Sequence, residues 1–279
     1  MDSWRKIRSI ARHTGNTAAE RERQLPEEVA IALSCNGSTQ AVMMGTPADL
    51  RDFATGFLMT EGIAQPDEIE SIEPVETELG IDLQIRVTEE AASRLAIRRR
   101  SMAGPVGCGL CGIESLEAAM HVPPLIPRNA ACRLTPGDVS RAMAQLPTFQ
   151  PLHDATRAVH GAAFFDPRQG IILAREDVGR HNALDKLIGA MVLSGTDRTG
   201  GAIVITSRVS IDMVQKVLRC GTPILIATSS PTASALDLAK RNGLTVVALA
   251  RGDQFEIFTH PHRIDPSQAD NEGPSHAVR

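Results

Sequence analysis

Aromatic side chains are scarce in this sequence, and their scarcity limits the ligands that it is suited to bind. The 279 residues include no Tyr, one Trp and seven Phe, so aromatic residues make up 3% of the chain. Stacking on aromatic rings is a common way of holding nucleic-acid bases. Nucleic-acid-binding domains are also usually basic, whereas the formal net charge here is -4 at pH 7. The composition therefore predicts no general nucleic-acid partner.

Long apolar runs are missing as well. No stretch reaches the roughly 18 apolar residues that predict a membrane-spanning helix. Residues 1–23 are polar and lack the apolar centre of a secretory signal. An odd number of cysteines does not predict a disulfide scaffold in a chain of this length. We therefore expect no membrane association and a cytoplasmic location, where thiols stay reduced. The five cysteines are Cys35, Cys108, Cys111, Cys132 and Cys220.

The chain divides into four parts by composition and pattern. Residues 1–24 are expected to form a flexible polar arm, and residues 25–133 a smaller mixed α+β domain that contains a cysteine loop. Residues 134–264 alternate more clearly between strand and helix patterns and are expected to form a larger α/β domain. Residues 265–279 are polar and are expected to be a disordered tail.

Local signals predict several elements of the smaller domain. Short apolar runs flank Asn36-Gly37, a sequence typical of a tight hairpin turn. Thr46 as a cap and Pro47 at the first helical position predict a helix that runs to about residue 60. Residues 81–87 alternate strictly between apolar and polar side chains, which predicts a half-buried strand. Residues 88–133 are expected to be irregular.

The second half of the chain alternates between strand and helix patterns. This alternation predicts βαβ units and a largely parallel sheet that is covered on both faces. Strands are predicted at residues 158–165, 171–174, 202–206, 223–228, 244–250 and 255–259, and helices at 180–193, 211–219 and 231–241, with another helix starting at Thr135.

Polar residues follow three of the predicted strands. Ligands of open α/β sheets bind beyond the carboxyl ends of the strands, where helix N-termini offer free N–H groups to phosphate. Hydroxyls, an arginine and a glycine at these ends suit a nucleotide or a pyrophosphate. Alternatively, the Ser and Thr residues serve only as helix caps. The three ends are Thr206-Ser207-Arg208, Thr228-Ser229-Ser230 and Arg251-Gly252-Asp253.

The pair Cys108 and Cys111 lies in a glycine-rich segment just before a helical pattern. Glycines permit unusual backbone angles, which favours a mobile loop. A helix N-terminus lowers the pKa of a nearby thiol and so favours the nucleophilic thiolate. The arginines at Arg98-Arg99-Arg100 would add to this effect if the fold brings them close.

Several interpretations of the cysteine pair are compatible with the residues. Half of a zinc site needs two further ligands, and no second C-x-x-C or H-x-x-x-H pair is present. A thioredoxin-like exchanger normally has its pair at a strand-to-helix junction, but glycines and a proline precede this one. The match of Gly107, Gly109 and Gly112 to a dinucleotide motif has no strand before it. A sulfur carrier and two unreactive loop cysteines also remain open.

The segment from Arg175 to Asn182 is unusually polar and lies between a predicted strand and a predicted helix. One interpretation is a cluster of caps and ion pairs. The other is a ligand-contacting or proton-handling site around His181, which we expect near Asp177. The helix dipole at that end disfavours the protonated ring. No H-x-E or P-C-x-x-C signature of a zinc deaminase is present.

Taken together, these segments resemble the FdhD family, the formate dehydrogenase accessory sulfurtransferases. The resemblance extends from about Leu25 to Ile264. Its most specific parts are the hexapeptide from Gly107 to Gly112 and the stretch from Glu176 to Leu187. Supporting stretches are Gly56-Phe57-Leu58-Met59-Thr60-Glu61-Gly62, Ser207-Arg208, Met213-Val214-Gln215-Lys216 and Thr259-His260-Pro261.

The resemblance implies a fold and a function. The fold would be α/β, with a three-layer C-terminal domain like that of cytidine deaminases but without their zinc, so that no permanent metal is expected. Cys108 would carry a persulfide received from a cysteine desulfurase, with Cys111 as the second cysteine. The acceptor would be the molybdenum bis(molybdopterin guanine dinucleotide) cofactor destined for formate dehydrogenase, held as a bound substrate. The cofactor-binding stretch would be Leu249-Ala250-Arg251-Gly252-Asp253-Gln254.

The resemblance also implies a homodimer. A zinc-dependent relative of the deaminases, which metal analysis of the purified protein would distinguish, and one further alternative function stay open. In that alternative the protein is a chaperone that binds and presents the cofactor to formate dehydrogenase without any sulfur chemistry of its own. The strand-end groups serve both functions, whereas dependence on Cys108 distinguishes them.

Overall fold

The computed structural model describes residues 1–12, 18–101, 124–127, 130 and 132–265. The predictions for the segment around Cys108 and Cys111 and for the tail beyond residue 265 lie outside the described residues. The described residues form three sheets, of two, four and six strands. The protein is thus a mixed α/β protein with several sheets.

The N-terminal residues form a hairpin instead of the expected flexible arm. Strand β1 (Trp4–Arg12) pairs antiparallel with β2 (Ala18–Pro26) in an unbroken register from Trp4 opposite Pro26 to Arg12 opposite Ala18. The prediction was wrong because the segment is polar on both faces. A two-stranded ribbon of this kind gives little of the apolar alternation that reveals a half-buried strand.

The smaller lobe is a four-stranded sheet in the order β4-β3-β6-β5. Asn36 and Gly37, with φ of 46° and 79°, form the predicted turn. The predicted alternation of β6 is confirmed, because Leu83 and Ile85 are buried and Arg86 is exposed. Helix α1 begins and ends close to the prediction. The elements are β3 (Val29–Cys35), β4 (Ser38–Gly45), α1 (Leu50–Thr60), β5 (Ile69–Thr77), β6 (Gly80–Val87) and α2 (Glu89–Ser101).

Two details of this lobe correct the sequence analysis. Helix α2 occupies the start of the segment that was expected to be irregular, and it packs Ala91 and Leu95 into the same core as α1. Thr46 does not cap α1. The residue at the cap position is Asp49, in the left-handed region at φ 52° and without a side-chain cap bond. Thr46 is instead used in a long-range contact that is described below.

The larger lobe contains the six-stranded sheet, in the order β12-β11-β10-β9-β7-β8. Its predicted strands and helices are all present, with boundaries shifted by a few residues. They are α3 (Pro136–Gln145), α4 (Pro151–Thr156), β7 (His160–Asp166), β8 (Gly170–Asp177), α5 (Arg180–Leu193), β9 (Ala202–Ile205), α6 (Ile211–Cys220), β10 (Ile224–Ala227), α7 (Ala233–Arg241), β11 (Thr245–Arg251) and β12 (Gln254–Thr259).

The sheet is mixed, not largely parallel as predicted. Only β9-β10 and β10-β11 are parallel pairs, whereas β7-β8, β7-β9 and β11-β12 are antiparallel. The cause is local, because β7-β8 and β11-β12 are joined by short turns, and a short turn can connect only antiparallel strands. Strand β8 nevertheless runs in the same direction as β9, since both are antiparallel to β7.

Helices cover both faces of this sheet, as predicted. Leu187 of α5 and Val217 of α6 pack on one face together with Ile203 of β9. Val139 of α3 packs on the other face with Val204. Ile126 and Cys132, which the sequence analysis assigned to the smaller domain, are also buried in the cores of the larger lobe.

Helices α1 and α5 join the two lobes through a very close contact between glycines. A Cβ atom added at Gly56 would lie 1.8 Å from the carbonyl oxygen of Asp185, and one added at Gly189 would lie 1.9 Å from that of Asp52. Both obstacles are backbone atoms. The two helices therefore cross at this distance only because neither glycine carries a side chain.

We predict that Gly189→Ala destabilises the fold by about 3 kcal/mol or more, because the added methyl group forces the two helix backbones apart. Denaturant unfolding measures the change. Gly137→Ala is the matched control, since a Cβ at Gly137 meets nothing closer than the Thr135 hydroxyl at 3.5 Å. Equal stability of the two variants would contradict the close helix crossing.

Candidate functional site

The carboxyl ends of four strands lie along one edge of the six-stranded sheet. Strands β8, β9, β10 and β11 run in the same direction and end there at Asp177, Ile205, Ala227 and Arg251. Strand β7 begins at this edge. The predicted strand-end residues and the polar segment around His181 are therefore brought to one side of the sheet, where helices α5, α6 and α7 also begin.

The hydroxyl groups at these strand ends do not serve as the helix caps. The residue at the N-cap of α7 is Thr232, whose side chain accepts a hydrogen bond from the Ala235 N–H at 3.3 Å. Ser230 was predicted to begin this helix, but Pro231 continues the extended chain in a bridge with Val209. Thr228 instead donates its hydroxyl to the carbonyl oxygen of Thr206 at 2.7 Å and ties β10 to β9.

The predicted cofactor-binding stretch forms the turn between β11 and β12. Leu249 has φ of 55°, a left-handed conformation that is unusual for leucine, and a bulge separates Ala248 from Arg251. Gly252, at φ 60°, completes the turn. Ala250 is buried, whereas Arg251, Gly252, Asp253 and Gln254 are exposed beside the end of β10.

Most of the polar segment from residue 175 to 182 is used to hold the fold together. Arg175 donates from Nε to Asp52 Oδ2 at 2.7 Å, which links β8 to α1. Glu176 accepts hydrogen bonds from the backbone N–H groups of Leu152 and His153, at 2.8 and 2.7 Å, where α4 begins. Burial raises the pKa of Glu176, although these two hydrogen bonds oppose the shift. The interpretation as a cluster of caps and ion pairs applies to these residues.

Asp177 is the centre of a fully buried polar contact between the lobes. Its Oδ2 atom accepts from Lys186 Nζ at 2.7 Å and from the Thr46 N–H at 3.0 Å. Its Oδ1 atom accepts from the Gly179 N–H and from Asn182 Nδ2. Lys186 also donates to the Thr46 carbonyl oxygen at 2.9 Å. Thr46 thus links the smaller lobe to α5, a role that sequence reasoning missed because nothing local signals a contact 131 residues away.

A second buried network includes Asp185, the residue of α5 that precedes Lys186. Lys216 donates to Asp185 Oδ2 at 2.9 Å, to Glu61 Oε1 at 2.9 Å and to the Thr60 hydroxyl at 3.0 Å. Thr60 in turn donates to Asp185 Oδ1 at 2.7 Å. Burial is the largest influence on the pKa of both Asp185 and Lys216. It raises the pKa of Asp185. The stretches that carry the family resemblance at Gly56–Gly62, Glu176–Leu187 and Met213–Lys216 therefore meet at one interface between the lobes.

Arg180 and His181 differ from the rest of the polar segment. Arg180 Nε and His181 Nε2 are buried and have no hydrogen-bond partner among the described residues. His181 lies in the first turn of α5, as predicted. Its Nε2 atom lies 3.9 Å from Asp212 Oδ2, in the first turn of α6. Burial, followed by the charges of Arg180 and Lys216, lowers the pKa of His181 to about 4.

This lowered pKa gives a test of the environment of His181. Because the unfolded chain binds a proton near pH 6.5 and the folded ring only near pH 4, stability falls as the pH drops between these values. We predict that His181 accounts for a loss of about 2 kcal/mol between pH 7.5 and pH 5. Denaturant unfolding of the wild type and of His181→Gln at both pH values isolates the contribution of His181 to the loss of stability. An equal loss in both proteins would contradict the burial of the ring.

The three described cysteines are poorly suited to sulfur chemistry. Cys35, Cys132 and Cys220 are all buried. Burial raises the pKa of Cys132 to about 11 and also raises that of Cys220. A thiol with a raised pKa carries little of the nucleophilic thiolate at neutral pH. The candidates for a reactive thiol are therefore Cys108 and Cys111, which lie outside the described residues.

Neither a metal centre nor a membrane span is found in the part of the chain that the structure describes. No three His, Cys, Asp or Glu side chains in it are grouped so that they could ligate a metal ion. No helix in it has both the length and the apolar character needed to cross a bilayer.

The described structure is that of a mixed α/β protein with two interlocked lobes and a polar edge on its larger sheet. Comparison with known proteins identifies its class. A model of the FdhD/NarQ family matches residues 26–265, which is most of the chain. The chain belongs to this family.

Individual relatives agree with this assignment over nearly their whole length. The chain is 51% identical over 263 residues to the "Sulfur carrier protein FdhD" of Agrobacterium fabrum, covering 94% of this chain and 96% of the relative. It is 42% identical over 260 residues to the protein of the same name from Xanthomonas campestris pv. campestris (strain B100), covering 93% and 92%. A crystal structure from Desulfotalea psychrophila, named as a formate dehydrogenase accessory protein, matches with a TM-score of 0.73 at 25% identity, covering 94% of this chain and all of that one.

Proposed function

We propose that this protein is a sulfur carrier required for formate dehydrogenase activity, and that it acts as a persulfide-carrying sulfurtransferase in the cytoplasm. The single observation that carries the proposal is the match over almost the full length to relatives named as sulfur carriers, at up to 51% identity. The chemistry of the chain agrees with it, because the other three cysteines are buried and only Cys108 and Cys111 remain as candidates for an accessible thiol.

In the proposed reaction, the Cys108 thiolate attacks the outer sulfur of a persulfide on a cysteine desulfurase. The sulfur–sulfur bond of the donor breaks, the donor cysteine leaves as a thiolate, and Cys108 holds the new persulfide. The terminal sulfur must then gain two electrons to become a sulfido ligand of the molybdenum substrate. In one route Cys111 attacks Cys108, a disulfide forms, and the sulfur leaves as hydrosulfide with both electrons. In the other route Cys111 only relays the persulfide, and the reduced cofactor would supply the two electrons.

The cofactor is proposed to bind as a substrate, with its guanine nucleotide end at the turn from Leu249 to Gln254. The support is the position and shape of this turn. It lies at the carboxyl end of β11, where α/β sheets bind their ligands. Leu249 is held in a left-handed conformation, which costs about 1 kcal/mol or more and is typical of ligand-contacting turns. The exposed Arg251 offers a guanidinium group to phosphate.

We further propose that residues 134–264 form a cytidine-deaminase-like domain without the deaminase zinc, and that the protein acts as a homodimer. The support for the fold is the layering, with α5, α6 and α7 on one face of the six-stranded sheet and α3 on the other. The alternative function is a chaperone that binds the cofactor and presents it to formate dehydrogenase without carrying sulfur.

The proposed function predicts complementation. A bacterial strain that has lost formate dehydrogenase activity because its own FdhD protein is deleted should regain that activity when it expresses this chain. Formate oxidation in cell extracts is the measurement, and the strain with an empty vector is the control. Normal levels of formate dehydrogenase protein without restored activity would count against the function.

A further inference from the structure

The N-terminal hairpin carries a charge of the opposite sign to the rest of the chain. Residues 1–25 contain six Arg and Lys residues against three Asp and Glu residues, although the formal net charge of the whole protein is -4. These residues also precede the part of the chain that the family model matches, which begins at residue 26. We call strands β1 and β2 the basic hairpin.

The basic hairpin exposes groups that are typical of protein interfaces. Trp4, the only Trp of the chain, is 36% exposed, and Ile10 and Leu25 are 65% and 38% exposed. The side chains of Arg21 and Arg23 are exposed and make no ion pair with another described residue. Trp and Arg are the side chains most enriched at the energetic centres of protein interfaces.

The antiparallel register places three arginines on one face of the basic hairpin. Arg5 lies opposite Leu25, which is two residues from Arg23 and four from Arg21. Alternate residues of a strand point to the same face, and no Asp or Glu of β1 or β2 shares this one. Arg5 is paired with Glu27 at 3.0 Å. Arg21 and Arg23 therefore give this face its positive charge.

An open cavity of about 470 Å³ lies between the basic hairpin and helix α4. Lys6 and Arg23 line it from the hairpin and Arg157 from the residue after α4, whereas Glu22 is the one acidic residue among its described lining residues. Lys6 and Glu22 lie 3.9 Å apart, so their charges offset each other. The remaining charge is positive, and the cavity therefore suits an acidic side chain from another molecule.

The basic hairpin is attached close to the sheet edge at which the cofactor is proposed to bind. Strand β2 lies beside α4. Helix α4 begins at the two backbone N–H groups that donate to Glu176, and Glu176 is the penultimate residue of β8. Strand β8 ends at the same edge of the sheet as β11. A protein that receives the cofactor from this edge therefore comes close to the hairpin.

We propose that the basic hairpin is the docking element for formate dehydrogenase and that it binds an acidic patch on the surface of that enzyme. Arg21 and Arg23 pair with carboxylates of the patch, an acidic side chain enters the cavity beside α4, and Trp4 and Ile10 pack against the enzyme. A protein fits better than a nucleic acid, because apolar side chains flank the arginines and the rest of the chain is negatively charged. The inference rests on the proposed function, in which formate dehydrogenase is the acceptor.

The first test measures the affinity of the full chain for formate dehydrogenase that is purified from a strain without an FdhD protein. Arg23→Glu should weaken binding at least about tenfold at low salt, because it places like charges opposite each other and slows association. The difference should shrink at high salt, which screens exposed charges. Arg168→Glu makes the same change of charge in the exposed turn between β7 and β8, at the opposite edge of the sheet, and is the matched control. Equal affinities of the two variants, or no binding by the wild type, would overturn the proposal.

Trp4 gives a second readout that does not require a change of charge. Because it is the only Trp, a chain produced with 5-fluorotryptophan carries a single fluorine, and that fluorine lies in the basic hairpin. Its resonance should shift when formate dehydrogenase is added and keep its position when a cysteine desulfurase is added. A shift with the desulfurase alone would assign the hairpin to the sulfur donor and contradict the proposal.

Two further measurements on Arg23→Glu separate docking from other roles of the arginine. The melting temperature should equal that of the wild type, since the side chain is exposed and makes no ion pair with a described residue. A lowered melting temperature with unchanged affinity for the enzyme would show a structural role and contradict the proposal. Binding of single-stranded RNA by the wild type that is lost in the variant, with unchanged affinity for the enzyme, would assign the arginine to a nucleic acid and contradict it as well.

Failure of the inference can be told from failure of the proposed function. Sulfur loading of the wild-type protein by a cysteine desulfurase is measured on the same preparation. If the protein takes up sulfur but Arg23→Glu binds formate dehydrogenase as tightly as the wild type, the carrier function stands and the docking proposal falls. If Arg23→Glu loses affinity for the enzyme but the wild type takes up no sulfur, the docking proposal stands and the carrier function falls.

Discussion

Cys108→Ala is expected to reduce activation of formate dehydrogenase to the level of a strain without this protein. None of the described cysteines can take over the role, because Cys35, Cys132 and Cys220 are buried. The high pKa of Cys132, about 11, also leaves it almost entirely protonated at neutral pH. The measurement is formate oxidation in the complemented deletion strain, with the amount of the soluble variant protein determined in parallel.

Two further variants make this result specific. Cys220→Ala removes a buried thiol, so activation should persist wherever the protein remains folded. Cys111→Ala tests the second cysteine: complete loss assigns it a required relay or release step, and retained activity assigns all carriage to Cys108. Full activation by Cys108→Ala would favour the alternative function, a cofactor-binding chaperone without sulfur chemistry.

Lys186→Met is expected to destabilise the protein by about 3 to 5 kcal/mol. Lys186 and Asp177 are both completely buried and lie 2.7 Å apart. The substitution leaves the Asp177 carboxylate in the interior without its counter-charge, and it also removes the hydrogen bond to the Thr46 carbonyl oxygen that links the lobes. Denaturant unfolding at pH 7.5 measures the change.

Lys6→Met is the matched control for this prediction. Lys6 and Glu22 form an exposed pair at 3.9 Å, and such surface pairs contribute about 0 to 1 kcal/mol. A similar small effect of Lys186→Met would contradict the buried ion pair as the link between the lobes. A large loss of stability with sulfur loading retained in the folded fraction would separate this structural role from the chemistry.

The parts of the fold that were predictable are those with a strong apolar period. Helix α5 begins at Arg180 and ends at Leu193, as predicted, because its apolar residues recur on one face. Strand β6 was predictable from its alternation. By contrast, β5 was not predicted. It is an edge strand with three glutamates among its nine residues, Glu70, Glu73 and Glu76, and its apolar residues show no clear period of two. Helix α2 was hidden by its run of charged residues.

The candidate site was predictable only in part. The position of Thr206, Thr228 and Arg251 at one edge of the sheet was predictable from the alternation of strand and helix patterns. Ligands of α/β sheets bind at this edge. The neutral state of His181 was expected from the helix dipole, whereas burial is the larger cause. The pairing of Thr46 with Asp177 joins residues far apart in the chain, so no local pattern predicts it.

The most direct test of the central claim is the intact mass of the protein after incubation with a cysteine desulfurase and cysteine. The account predicts a gain of one sulfur atom, about 32 Da, that reductant reverses and that Cys108→Ala abolishes. A wild-type protein that gains no sulfur, or a Cys108→Ala protein that gains as much as the wild type, would contradict it.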